Sequence, residues 1–251
     1  MGVLTILNRN IKWRFRNAFT IVITILQPLL WLVLYGAAAS RTMGEAGVEN
    51  YRAFILPGLM VLVSFSACGS SGMMRYIMER EGSFFRLLTA PVGQWAIVLG
   101  QLLEAVLCVL LEAGIMVFVS LLCGARITAG PGSVFLLLVL LFLTAFFLAG
   151  LSYGLSFLLP DEAAYETVMN AVALPLFFLS GALFPMDSGQ GILGLLIRLN
   201  PFTYMVAALR QLVLYGKAGG GQLAFVLPLF LMMGVLVLLW DLRLLEKRRF
   251  G

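Results

Sequence analysis

GSVFLLLVLLFLTAFFLAGLSYGLSFL, residues 132–158, runs without a single charged side chain. A helix rises about 1.5 Å per residue and bilayer hydrocarbon is about 30 Å thick, so this run can cross a membrane with length to spare. The whole chain is written in the same style. Of its 251 residues 61% are hydrophobic and 12% charged, against about 25% charged in an ordinary soluble domain. A water-soluble fold would have to hide several such runs at once, so lipid is the solvent.

Outward from this run, residues 18–39, 53–74, 95–122, 168–184 and 222–240 read as five more spans. Each is expected to be a helix, because a segment in hydrocarbon must satisfy its own backbone hydrogen bonds. The runs 95–122 and 132–158 exceed the needed length, which predicts tilting or protrusion into water. The expected fold is an all-α integral membrane protein of six spans.

Lys and Arg at the span ends set the orientation. Eleven of them, including Arg9, Lys12, Arg14, Arg16, Arg75, Arg80, Arg86 and the cluster Arg243 to Arg249, fall on one side, and six on the other. The richer side, with both termini, is expected to be cytoplasmic. The net charge of +5 lies mostly where it would meet anionic lipid head groups, and no nucleic-acid surface is implied. Three scattered cysteines and no histidine predict neither a disulfide framework nor a metal centre. No cleavable leader is expected, since the first apolar run is too long for one.

Residues 1–17 place Leu4, Leu7, Ile11 and Phe15 three or four apart, continuing to Ala18, with Arg9, Lys12 and Arg16 on other faces. That spacing predicts an amphipathic helix in the membrane interface with Trp13 as an anchor; a basic leader that only orients the first span is the alternative. Residues 186–216 hold two apolar pieces, GILGLLIRLN and FTYMVAALRQLVLY, separated at Asn200 and Pro201. Each is too short to cross, and proline stops the first. Two short helices dipping in from the outer face are expected. A hairpin crossing twice would centre Arg198 and Arg210 in lipid, at about 2.5 to 3.5 kcal/mol each.

Inside the spans, Glu104 and Glu112 stand two turns apart on one face of the third run, and Gln27 precedes Pro28 in the first. Intramembrane carboxylates are candidates for proton carriage or a substrate path, or else for bonds across the bundle. Gly69 and Gly72, with Ser66, Ser70 and Ser71, form a small-residue face; Gly150 and Gly154, with Ser152 and Ser156, form another. Both suit close helix packing. The chain has no GxxxxGK[ST] phosphate loop; YGKAGGG at 215–221 lacks its spacing. Energy for any transport has to come from a partner or a gradient.

Four stretches together carry a resemblance: the basic N-terminus, EREGSFFRLLTAPV at 79–92, FLSGALFP at 178–185, and NPFTYMVAALR at 200–210. Leu56, Pro57 and Gly58 add to it. In that order and spacing they resemble the type-2 family of ABC transporter permeases, the membrane halves of exporters for drugs, lipids and lipid-linked glycans. The resemblance covers essentially the whole chain. It implies a single permease domain, two copies of a separate ATPase holding ATP and Mg, and a second permease in a homodimer or heterodimer. It also implies the inner membrane of a prokaryote, with no catalytic residue or cofactor on this chain.

The resemblance makes residues 79–92 the coupling helix, which seats in a groove of the ATPase. Phe84, Phe85, Leu87 and Leu88 would be its apolar anchors, with Glu79, Arg80, Glu81 and Arg86 orienting by charge. Gly82 would allow a sharp entry and Pro91 would stop the helix. The alternative is a loop whose phenylalanines dip into lipid. Ser180, Gly181, Phe184, Pro185, Asn200, Pro201, Phe202, Tyr204 and Arg210, where the two short outer helices would cap a cavity, are the candidates for an outer gate. The competing function is a gradient-driven, proton-coupled carrier using Glu104 and Glu112; a non-transporting scaffold has no positive feature.

Overall fold

The computed structural model describes residues 2–16, 18–38, 50–183 and 191–250. The described residues fold as ten helices with no strand: α1 Gly2–Arg16, α2 Ala18–Ala38, α3 Tyr51–Arg80, α4 Ser83–Thr89, α5 Gln94–Leu122, α6 Pro131–Leu158, α7 Glu162–Leu179, α8 Ile192–Leu199, α9 Pro201–Tyr215 and α10 Gly220–Phe250. Four of them, α3, α5, α6 and α10, are long and apolar enough to cross a membrane, and the bent pair α8 and α9 makes a fifth if counted as one span. α2 and α7 are helical where two more spans were expected; α2 has no charged side chain along its 21 residues, and α7 carries Glu162, Glu166 and Asn170.

α3 is the axis of the bundle. Residues along its whole length and on every side are buried, from Tyr51 to Met78, so its apolar residues meet protein, whereas those of α10 are mostly exposed. It outruns the expected 53–74 because no breaker falls between Met74 and Gly82, and its buried Arg75 finds partners inside the protein. Glycines let its neighbours close in. A Cβ on Gly72 would lie 2.8 Å from the Ser152 carbonyl oxygen of α6, and one on Gly58 would strike Ala182 at 2.5 Å. The Pro57-Gly58 and SGALFP signatures are thus two sides of one contact.

Boundaries shift elsewhere for local reasons. Asp161 caps α7, accepting from the Ala164 amide at 2.7 Å, so the helix starts at Glu162 and not at 168. Within 79–92 only Ser83–Thr89 forms a separate helix; Glu79 and Arg80 end α3, and Pro91 follows in a bend. Gly82 enters with φ +67, as the sharp entry requires. α10 runs on as a helix through the basic tail to Phe250 instead of ending near 240. The short helices α8 and α9 meet at 69°, where Asn200 closes one and caps the other by accepting from the Phe202 amide at 3.0 Å.

Candidate functional site

A knot of polar side chains sits inside the bundle at its basic end. Ile6, Asn10 and Arg14, each four residues apart, form the buried face of α1. Arg14 donates through Nε to Glu104 Oε1 at 2.7 Å and through Nη1 to Ser70 Oγ at 2.5 Å. Ser71 donates to the other Glu104 oxygen at 2.7 Å, and Asn10 donates to Gln101 Oε1 at 2.9 Å. Burial works most strongly against the Arg14 charge, yet Glu104, Cys108 and Glu112 together hold its pKa above the ordinary arginine value. The knot bolts α1 to α3 and α5. Glu104 therefore has a complete set of partners, and Glu112, two turns along α5, is also fully buried. Arg14 and Gln101 were missed as partners in the sequence, though Asn10 and Arg14 share a face, as do Gln101 and Glu104.

Beside the knot opens a cleft of about 530 Å³ between α1, α2, α3 and α7. Trp13, Phe19, Phe65, Met73 and Met169 make its apolar lining; Arg14, Gln27, Ser66, Ser70, Glu166 and Asn170 supply the polar groups. Gln27 and Asn170 are exposed at positions inside helices of apolar character. A shallow groove of about 610 Å³, lined among the described residues by α2 alone, continues from the cleft, sharing Ile23 and Gln27 and ending at Trp31, Leu34 and Tyr35.

At the same basic end α4 lies across the bundle with its apolar residues divided. Phe84, Leu87 and Leu88 are buried against the chain's own helices, while Phe85 is 60% exposed and Arg86 is exposed with it. This corrects the expectation of four outward anchors: the i, i+3, i+4 face belongs to the core, and one phenylalanine remains outside. Phe84 meets Phe157 of α6 with ring centroids 6.1 Å apart, and the Arg75 guanidinium lies over the Phe157 and Tyr76 rings. Arg75 also donates to Ser156 Oγ at 3.0 Å and to Glu79 at 2.6 Å. Glu81 and Pro91 are exposed; Arg80 pairs with Glu162 at 3.3 Å, tying α3 to α7.

Asp241 was not singled out by the sequence, lying where the last apolar run meets the basic tail. It is fully buried on α10 against Gly150 and Gly154 of α6, and neither carboxyl oxygen has a hydrogen-bond partner among the described residues. Any Cβ on those two glycines would press on Val237, Trp240 and Asp241.

The opposite end converges on Arg210 of α9. Its Nε donates to the Phe54 carbonyl at 3.1 Å, its Nη2 to the Gly181 and Ala182 carbonyls at 2.8 and 3.0 Å, and the guanidinium stands 3.7 Å from the Phe54 ring centroid. Gly181 has φ +67, which turns these carbonyls toward Arg210 just past the end of α7. Asn200 donates to the Leu176 carbonyl at 2.7 Å, the Ser180 hydroxyl to Phe177 at 2.6 Å, and the Tyr204 hydroxyl to Arg198 at 2.9 Å. Pro201 starts α9, and Phe202 is buried against Phe65. Phe184 and Pro185 lie outside the described residues.

Comparison with known proteins gives a family likeness over most of the chain. The family model described as ABC-2 type transporter matches residues 1–214. The ycf38 protein of Porphyra purpurea, named as a transport permease, is 30% identical over 202 residues, covering 79% of this chain and 69% of its own. The ycf38 protein of Cyanophora paradoxa is 30% identical over 205 residues, covering 78% and 69%. Nodulation protein J of Sinorhizobium fredii is 25% identical over 236 residues, covering 89% and 88%.

Proposed function

The chain belongs to the ABC-2 type transporter family, and from that premise we propose that it is the membrane-spanning permease subunit of an ATP-driven exporter. It crosses six times, with α2 and α7 as crossings beside the four longest helices, and α8 and α9 dip in from outside. Both termini face the cytoplasm of a prokaryotic cell. Permeases of this family generally work with an ABC ATPase; here two ATPase copies, holding ATP and Mg, drive two permease copies, and this chain performs no hydrolysis itself. The cargo is an amphiphilic drug, lipid or lipid-linked glycan.

The observation that carries this reading is α4. A helix locked into the core by Phe84, Leu87 and Leu88, with Phe85 and Arg86 projecting from the basic end, is a rigid handle. A push on it travels through Phe84 to Phe157 and Arg75, and so to α6 and α3. The opposite end is clasped by Arg210, which joins the end of α7 to α3 and α9. Closing of the ATPases shifts the balance between inward-open and outward-open arrangements through this handle. Glu104 is accounted for by Arg14, so the proton-coupled alternative draws no support from it.

The test is a pull-down from mild-detergent membranes through a C-terminal tag, reading co-purified ATPase activity. Phe85→Asp is expected to abolish the associated activity while the permease elutes and melts as before. ATPase retained at the natural level by that variant would sink the coupling assignment.

A further inference from the structure

We propose that the cleft and the α2 groove together bind an amphiphile with an anionic head group, the head on Arg14 and the tail along α2. The proposal deepens the permease reading by naming a substrate class for its cleft.

The two spaces form one track, because Ile23 and Gln27 line both. From Ile23 to Tyr35 the helix rises about 18 Å, a little over half the roughly 30 Å hydrocarbon thickness, so the groove has the reach of a lipid chain from one leaflet. Its lining there is apolar apart from Gln27 and the tips of Trp31 and Tyr35. The polar groups gather at the other end, around Arg14, Ser66 and Ser70. A cleft of about 530 Å³ is within the roughly 300 to 1,000 Å³ of ordinary ligand sites.

Arg14 supplies the donor that anchors the head group, and the exposed Lys12 and Arg16 beside it favour an anion. Arg14 is only 2% exposed, its Nε and Nη1 are satisfied by Glu104 and Ser70, and its Nη2 has no hydrogen-bond partner among the described residues. A buried donor left unmade is costly, and a phosphate, sulfate or carboxylate oxygen would complete it with a charge-assisted bond. Nη2 is itself buried, so the head engages it as the side chains over it shift. Glu166 also lines the cleft but is exposed, where water and salt screen its repulsion. Lys12 and Arg16, exposed on α1 to either side of Arg14, draw anionic lipid toward the cleft.

Native mass spectrometry of the detergent-purified permease with dioleoyl phosphatidic acid and dioleoyl phosphatidylcholine reads this directly. Phosphatidic acid is expected to be retained about tenfold better, and Arg14→Gln to erase that preference. Should Arg14→Gln misfold, Ser66→Phe fills the cleft while sparing the Arg14–Glu104 pair, and is expected to cut retention of phosphatidic acid as strongly. Equal retention of both lipids, or a preference that survives the folded variants, overturns the proposal. A second arm follows fluorescent phosphatidic acid in vesicles holding the permease and its ATPase. ATP-dependent movement across the bilayer identifies cargo and retention without movement a resident lipid; both uphold the head-group site. Binding is read without ATP, so failed ATPase coupling and a failed head-group site give different results.

Discussion

Arg14 and Glu104 hold each other in a place where neither is tolerable alone. Removing one member of a buried pair leaves the other charge unpaired, at about 3 to 5 kcal/mol. Glu104→Gln should therefore lower the thermal midpoint of the detergent-solubilised permease sharply, and Arg14→Met in the same chain should recover part of the loss. A double variant no more stable than the single one would mean that the pair is not the source of the cost. Asp241 obeys the opposite rule. Its carboxyl is buried with no described partner, so Asp241→Asn, which keeps the shape and removes the chance of ionisation, should leave the midpoint unchanged or raise it. A sharp fall would reveal a partner that only a carboxylate can satisfy. Neither environment was legible from residue type: Arg14 read as one more basic residue of the leader, because nothing in a single helix shows which of its faces meets another.

At the level of the helix, α4 separates two roles that adjacent phenylalanines hide. Phe84→Ala deletes a ring packed on Phe157 and should cost about 3 to 5 kcal/mol of stability. Phe85→Ala removes an exposed ring and should leave stability within about 0.5 kcal/mol while weakening ATPase retention. Parallel melting curves and pull-downs on the two variants check both halves, and equal destabilisation by the two would contradict the division. The element itself was visible beforehand through Gly82 and Pro91, which punctuate the chain by backbone chemistry. The inward turn of Leu87 and Leu88 was not, because periodicity gives a face without saying what lies opposite. The outer helices show the same limit: Asn200 and Pro201 marked the break, while the clasp of Arg210 on carbonyls 28 and 29 residues away left no local trace.

For the whole molecule, the cleft raises the question of what covers it. Gln27 and Asn170 are exposed inside helices that should face hydrocarbon, and polar groups there are costly unless protein or water meets them. A second permease copy turned toward this face would enclose the cleft as a shared path. In a background with Cys68, Cys108 and Cys123 replaced, Gln27→Cys should form crosslinked dimers in native membranes, whereas Cys at the exposed Leu236 of α10 should not. Crosslinking at both or at neither would remove this face from the interface.

The sequence by itself determined the solvent, the helical class, the positions of the long spans and the breaks at Gly82 and Pro201, because hydrophobic length and backbone restriction act locally and leave periodic or punctual marks. Only the tertiary structure decided that Arg14 neutralises Glu104, that Phe84 turns in while Phe85 turns out, and that Gln27, Ser70 and Asn170 share one cleft. Those pairings join residues about 40 to 145 positions apart, and their energies come from desolvation and contact geometry between helices, which no single stretch of chain encodes.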